Sequence, residues 1–277
     1  NGADSWSKID DENKILDDLS TIFAIAIEKE NPNIVYVATL NRDRGELLRS
    51  EDGGKTWVSS YISTESGKPI NHVQIDPIHS NIVYIGTEQG GLIRSDNRGN
   101  TWYTLEWFYT GVKDFVVDFQ NNNSIIVRTF SYIKKTIDGG ETWEDLNGKM
   151  MRSLTLKIGI SLISSMTIDN QNPLVVYITY QNLILVTKDG GDTWEKMNTI
   201  TPALTVLGTA PQVKQIGMID NIIYYGAGNA LYRSQDKGVS WSSHDIPIKG
   251  DVRYTVSDHS DSDIIYLGAF YDKPPKK

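Results

Sequence analysis

An all-β fold of about six similar four-stranded units is predicted by three observations. The first is a recurring octet. Ser50 to Trp57 reads SEDGGKTW, and counterparts start at Ser95 (SDNRGNTW), Thr136 (TIDGGETW), Thr187 (TKDGGDTW) and Ser234 (SQDKGVSW). The shared pattern is [Ser/Thr]-x-Asp-x-Gly-x-[Thr/Ser]-Trp. The second is spacing: the octets start 41 to 51 residues apart, 46 on average, so 277 residues hold about six repeats. The third is what lies between them, short runs of Val, Ile, Tyr and Thr bounded by Asn, Pro, Asp and Gly. Those are sheet formers between turn formers. A period of ~40–50 residues built from short strands is the signature of β-propeller blades.

Each repeat carries the same parts in order. A first, inner strand is expected at 22–28, 73–76, 115–118, 165–169, 215–219 and 253–258. A β-branched and aromatic second strand follows at 34–39, 82–87, 125–129, 174–179, 222–226 and 264–268. A third leads into the octet at 47–49, 92–94, 133–135, 183–186 and 231–233, and the fourth starts at the octet Trp. Ser5-Trp6-Ser7-Lys8-Ile9 reads as a fourth strand without its octet, like Ser240-Trp241-Ser242-Ser243. It is therefore assigned to the outside of the last blade, which it would close, leaving no open edge between first and last blades. The expectation is a single propeller domain over 1–277, with a piece of a larger propeller as the alternative.

The octet has the chemistry of a tight turn between strands. Asp bonds backbone N–H groups ahead of it, Gly adopts backbone conformations that side chains resist, and Trp buries a large apolar surface. The pattern resembles the Asp-box, or BNR repeat, of sialidase-like propellers, a group that includes sialidases, xyloglucanase-type glycoside hydrolases, sortilin-type receptors and a photosystem II assembly factor. Phrases such as Asn31-Pro32-Asn33-Ile34-Val35-Tyr36 and Gly90-Gly91-Leu92-Ile93-Arg94-Ser95 are most similar in texture to the xyloglucanase-type members. The resemblance implies the fold; its members include enzymes and non-enzymes. It also implies an extracytoplasmic setting.

What recurs in every blade serves every blade. Trp6, Trp57, Trp102, Trp143, Trp194 and Trp241 are expected to pack blades, and Asp52, Asp96, Asp138, Asp189 and Asp236 to order the octet turns. Arg49, Arg94 and Arg233 stand just before the octets and belong to the same scaffold. So do the acids ending the inner strands, Glu28, Asp76, Asp118, Asp169 and Asp258.

Topology then directs attention to the other face, where second–third turns and blade-to-blade crossings meet. Four groups remain there. Glu106-Trp107-Phe108-Tyr109 falls in the crossing after the second octet, and Trp107 is the single Trp of seven outside the periodic position. Asn41-Arg42-Asp43-Arg44 forms a charged turn suited to a carboxylate or acidic sugar. The long crossing 144–163 holds Met150-Met151-Arg152. Phe130, Tyr132, Tyr180, Phe270 and Tyr271 are turn aromatics. The expected ligand site is built from Trp107, Phe108, Tyr109, Tyr132 and Tyr180 by stacking, with Arg42, Arg44 or Arg128 fixing polar groups.

Composition narrows the classes. A net charge of −8 without a basic block argues against nucleic acid. No apolar run reaches the ~18 residues of a spanning helix, so membrane insertion is not expected. Cysteine is absent, and the four histidines, His72, His79, His244 and His259, lack metal-ligand spacing, so neither metal nor cofactor is expected. The sialidase Tyr/Phe-Arg-Ile-Pro motif is missing. Glycoside hydrolysis needs two carboxylates roughly 5–10 Å apart across the scissile bond. The non-repeating acids are Asp43, Glu65, Glu88, Glu106 and Asp114, and none forms a recognisable pair. Glu106 and Glu88 are the nearest to catalytic candidates. The function expected is a monomeric, non-catalytic module that binds a glycan or protein ligand at the channel mouth opposite the octets. A polysaccharide hydrolase is the alternative.

Overall fold

The computed structural model describes residues 15–16, 20–154, 159, 162–199, 213, 215–247, 251–257 and 264–270. The chain divides into two compact units, Asn1–Asp145 and Leu146–Lys277.

The first unit holds three antiparallel sheets in which consecutive strands pair. They are β1 (Thr21–Ile27), β2 (Val35–Asn41), β3 (Arg44–Ser50) and β4 (Val58–Ser66); β5 (Ile70–Ile75), β6 (Val83–Thr87), β7 (Gly91–Ser95) and β8 (Tyr103–Trp107); and β9 (Val112–Val117), β10 (Ile125–Thr129), β11 (Ile133–Thr136) and β12 (Glu144–Asp145). The second unit opens on a helix, α1 (Asn147–Leu154), and then repeats the meander in β13 (Ile163–Ile168), β14 (Val176–Tyr180), β15 (Leu183–Thr187) and β16 (Glu195–Lys196) and again in β17 (Ile216–Ile219), β18 (Ile222–Ala227), β19 (Ala230–Ser234) and β20 (Ser242–Asp245). Its last described sheet pairs β21 (Asp251–Ser257) with β22 (Ile265–Phe270). This is the all-β propeller architecture that the repeat predicts. Residues 5–9, Asp258 and Tyr271 lie outside the described residues.

The second strands are buried on both faces because each sheet packs on its neighbour. Every residue of β6 and of β10 is buried. Tyr36, Ala38 and Leu47 of the first sheet share a core with Ile70, Val73 and Ile85 of the second. Tyr84 and Leu92 then meet Val112, Phe115 and Val127 of the third. In the second unit Tyr177, Ile184 and Val186 pack on Ile216, Ile223 and Tyr225.

The octets close the third–fourth turns as expected. In the first, Ser50 Oγ donates to Asp52 Oδ1 (2.7 Å), Thr56 N donates to the same oxygen (2.9 Å) and Thr56 Oγ1 to Oδ2 (2.6 Å), while Gly54 N donates to Ser50 Oγ (2.8 Å). Asp138, Asp189 and Asp236 repeat these bonds. The second octet corrects the expectation for Asp96. There Asn97 takes the turn-ordering place: Thr101 N and Ser95 Oγ donate to its Oδ1, and its amide donates to Thr101 Oγ1. Asp96 instead receives Arg94 Nε (2.7 Å) and the Tyr103 hydroxyl (2.9 Å). Among the octet indoles, Trp57 and Trp194 are each only 3% exposed. Burying such a ring removes ~150–250 Å² from water and is worth roughly 4–6 kcal/mol as an upper bound.

The acids after the inner strands are structural, as the repeat implies. Asp76 Oδ1 accepts from Ile78 N and His79 N, capping its own turn, and its Oδ2 accepts from Asn122 of the next sheet (2.9 Å). Asp169 does the same with Gln171 N and Asn172 N and receives Lys237 Nζ at 2.9 Å. Glu28 meets Arg98 at 3.3 Å.

Candidate functional site

Three turns of the first unit stand at the end of the sheets away from the octets: β2–β3, β6–β7 and β10–β11. The β2–β3 connection is a two-residue hairpin in which Asn41 pairs with Arg44. Arg42 and Asp43 both have positive φ, 45° and 72°, as a type I′ turn demands. Arg42 is thus held in a conformation that side chains resist, and Arg44 belongs to β3. Asp43 is fixed from the other side by Ser66, whose hydroxyl donates to its Oδ2.

The inner strands β1, β5, β9, β13 and β21 share an irregularity. Pairing skips one residue in each, Asn71 in β5 and Lys113 in β9 among them. Such a bulge re-aims the side chain of the skipped residue. Asn71 and Lys113 consequently converge on Glu88: Asn71 Nδ2 donates to Glu88 Oε2 at 2.7 Å, and Lys113 Nζ meets the same oxygen at 3.1 Å. The ammonium also stands 3.5 Å from the centre of the Phe130 ring. Gly111 allows this approach, since a Cβ there would lie 2.6 Å from the Glu88 carbonyl oxygen and 3.1 Å from Phe130.

Beside this knot, Arg128 of β10 grips Asp114 of β9 with both ends of its fork, at 2.7 and 3.0 Å. Arg128 is 8% exposed. It is a buried ion-pair member across the paired strands β9 and β10, not an open anion receptor. His72 lies edge-on to Phe115. Burial pushes its imidazole below the ordinary value, Asp114 pulls it up, and Arg128 adds to the fall.

Aromatic rings frame this end. Trp107 is 46% exposed, Tyr109 98%, Phe130 40% and Tyr132 37%. Trp107 is the last residue of β8, paired with Gly91, so Glu106 and Trp107 belong to a strand where a crossing was expected. Glu106 Oε1 accepts from the Trp107 amide (2.8 Å). Phe108 is the exception among the nominated aromatics. It is buried and lies edge-on to Trp143 with ring centres 5.2 Å apart, so it holds the crossing down and offers no surface to a ligand. Tyr180 ends β14 and is half-buried on the corresponding turn of the second unit. The crossing after Glu144 also differs from expectation. It folds as α1, which buries Met150 and Leu154 one turn apart.

The arrangement offers flat, partly exposed rings, with Glu88 and Asp114 already committed to Lys113 and Arg128. Sequence reasoning missed Asn71 and Lys113; the signal was their shared place just before the expected inner strands. Among the described residues no group of three His, Asp or Glu side chains is placed to hold a metal. No helix among them is long and apolar enough to cross a membrane.

Comparison with known proteins agrees with this architecture. The chain is 27% identical over 278 residues to a xyloglucanase from Paenibacillus sp, covering 86% of this chain and 24% of that protein. It spans about a quarter to a third of the length of the first curated relatives it matches, all xyloglucanases. An ancestral GH74 enzyme superposes with a TM-score of 0.60 at 17% identity, covering 80% of this chain and 31% of that one. YCF48 bound to D1 peptide superposes with a TM-score of 0.52 at 15% identity, covering 92% of this chain and 94% of that one. The profile of one family matches residues 4–267, nearly the whole chain, and the protein accordingly belongs to the family described as the DUF6242 beta propeller domain.

Proposed function

We propose that residues 1–277 act as a single propeller domain that binds, without cleaving, an extended glycan or protein segment on the turn face of the first unit. One observation carries this reading. On that face the rings of Trp107, Tyr109, Phe130 and Tyr132 are exposed while the carboxylates of Glu88 and Asp114 are engaged by Lys113 and Arg128. Exposed rings stack on sugar faces or anchor a partner chain. A general acid has to deliver a proton, and Glu88, which accepts from two donors, is arranged as an acceptor. Trp107 and Tyr109 are the central contacts, and Arg42 and Arg44 on the neighbouring hairpin supply charge for polar groups.

Relatives supply both ligand classes: xyloglucanases by sequence, and a YCF48 structure with a bound peptide by fold. The xyloglucanase likeness also favours a second reading, hydrolysis with Glu88 and Glu106 as the acids. The two separate in a reducing-end assay on soluble xyloglucan. Binding alone gives no release above buffer. Release by the wild type that disappears in Glu88→Gln or Glu106→Gln would overturn the binding reading.

A further inference from the structure

The second unit contains a groove of about 610 Å³ beside its last described octet, lined by Tyr177, Lys196, Met197, Asn198, Asp236 and Lys237 among others. The repeat changes at this junction. In the first unit Ser60 closes the equivalent junction: its hydroxyl donates to Gly99 O (2.7 Å), and the Tyr36 hydroxyl donates to Arg98 O (3.2 Å). In the second unit Met197 stands where Ser60 would, and its sulfur lies 2.5 Å from where a Cβ on Gly238 would be. A thioether cannot donate to the octet carbonyl. Tyr177, the counterpart of Tyr36, is only 2% exposed overall and contributes to the groove wall. Lys237, the counterpart of Arg98, is spent on Asp169 at 2.9 Å, and Lys188 on Glu195.

We propose that this groove is a second ligand site, distinct from the aromatic face of the first unit, and that it takes a short neutral oligosaccharide. Its volume falls in the ~300–1,000 Å³ range of small-ligand clefts. A ligand hydroxyl in the groove would find the Tyr177 hydroxyl as a hydrogen-bond partner on its wall. Donors and acceptors alternate around the walls: the Tyr177 hydroxyl and the Lys196 ammonium stand with the Asn198 amide, which offers both. Sugar hydroxyls both give and accept, and they suit that alternation better than a ligand of one charge. The pairing of Lys237 and Lys188 within the protein leaves no surplus positive cluster for an anion. Burial beside Asp169 pushes the Tyr177 hydroxyl up to about 12, which keeps it a neutral donor near pH 7. Val175, Val239 and Met197 give apolar surface for the C–H faces of a sugar ring.

The test titrates the purified chain with cellotetraose, xylotetraose and mannotetraose, following binding by saturation-transfer NMR. At least one should bind, Tyr177→Phe should weaken that sugar about fivefold to tenfold, and Trp107→Ala should leave it unchanged. Met197→Ser, which takes apolar wall from the groove and vacates the packing on Gly238, should also weaken the sugar and lower the melting temperature. Failure of all three sugars to bind, or unchanged binding in Tyr177→Phe, would overturn the proposal. So would loss of binding in Trp107→Ala with Tyr177→Phe unaffected, which would place the sugar on the first unit.

Discussion

Leu146 fills the space that a side chain on Gly191 would need: a Cβ there would lie 2.7 Å from Leu146 Cδ1. The relationship repeats. The residue three places after an octet Trp packs on the glycine that is the second positive-φ residue of the next octet, as Ser60 does on Gly99, Leu105 on Gly140 and Met197 on Gly238. The octet is therefore a socket for the preceding blade as well as a turn.

Gly191→Ala should accordingly suffer twice, from φ of +106° and from the collision with Leu146. Strain of about 1–3 kcal/mol and overpacking of similar size predict a loss of about 2–5 kcal/mol. Gly140→Ala, whose Cβ would clear Leu105 at 3.7 Å, keeps only the strain. Urea unfolding of the two variants checks this. Equal losses would show that the socket is not tight.

Asp236 is held near 2 by the Ser240 hydroxyl and amide and by the Ser234 hydroxyl. Asp189 reaches about 2 although burial pushes it up, because Thr193 and Thr187 outweigh that push. A carboxyl depressed in the folded state contributes stability above its unfolded value of ~3.9, and that contribution fades as pH falls through about 2. Carbon-13 titration should find the Asp236 midpoint near 2 and move it upward in Ser240→Ala. An unmoved midpoint would remove the hydroxyl from the explanation.

Arg42 occupies a left-handed turn position with φ of 45° that glycine fills without strain. Arg42→Gly should raise stability by about 1 kcal/mol in urea unfolding. If the residue serves a ligand, the same change weakens binding. A stability loss would mean that Arg42 holds the hairpin together.

Asp114→Ala takes the bidentate partner from Arg128, a side chain only 10% exposed, and should cost about 3 kcal/mol. Glu51→Ala removes a 2.9 Å pair with Arg49, but Glu51 is 66% exposed, and the cost should stay under about 1 kcal/mol. Thermal melts of the pair of variants measure the contrast.

The repeat was legible because its chemistry is local. An octet orders its own turn through bonds between residues two to four apart, so the third–fourth turns and the scaffold roles of Asp76 and Asp169 could be read from spacing. Asn97 was hidden because Asp96 beside it carries the expected residue type. α1 was hidden because Asn147-Gly148 reads as a loop, although Leu146, Met150 and Leu154 stand at helical spacing. The knot of Asn71, Lys113 and Glu88 depends on two bulges in different sheets, a register detail that no single segment announces. Phe108 and Trp107 are adjacent and aromatic, and only packing tells the buried ring from the exposed one.

The measurement closest to the central claim compares wild type and Trp107→Ala, by isothermal titration, on one panel of xyloglucan oligosaccharides and displayed peptides. The account predicts at least one probe that binds the wild type and weakens tenfold or more (about 1.4 kcal/mol) on losing the indole. If every probe that binds the wild type binds Trp107→Ala equally well, the turn face of the first unit is not where the ligand is held.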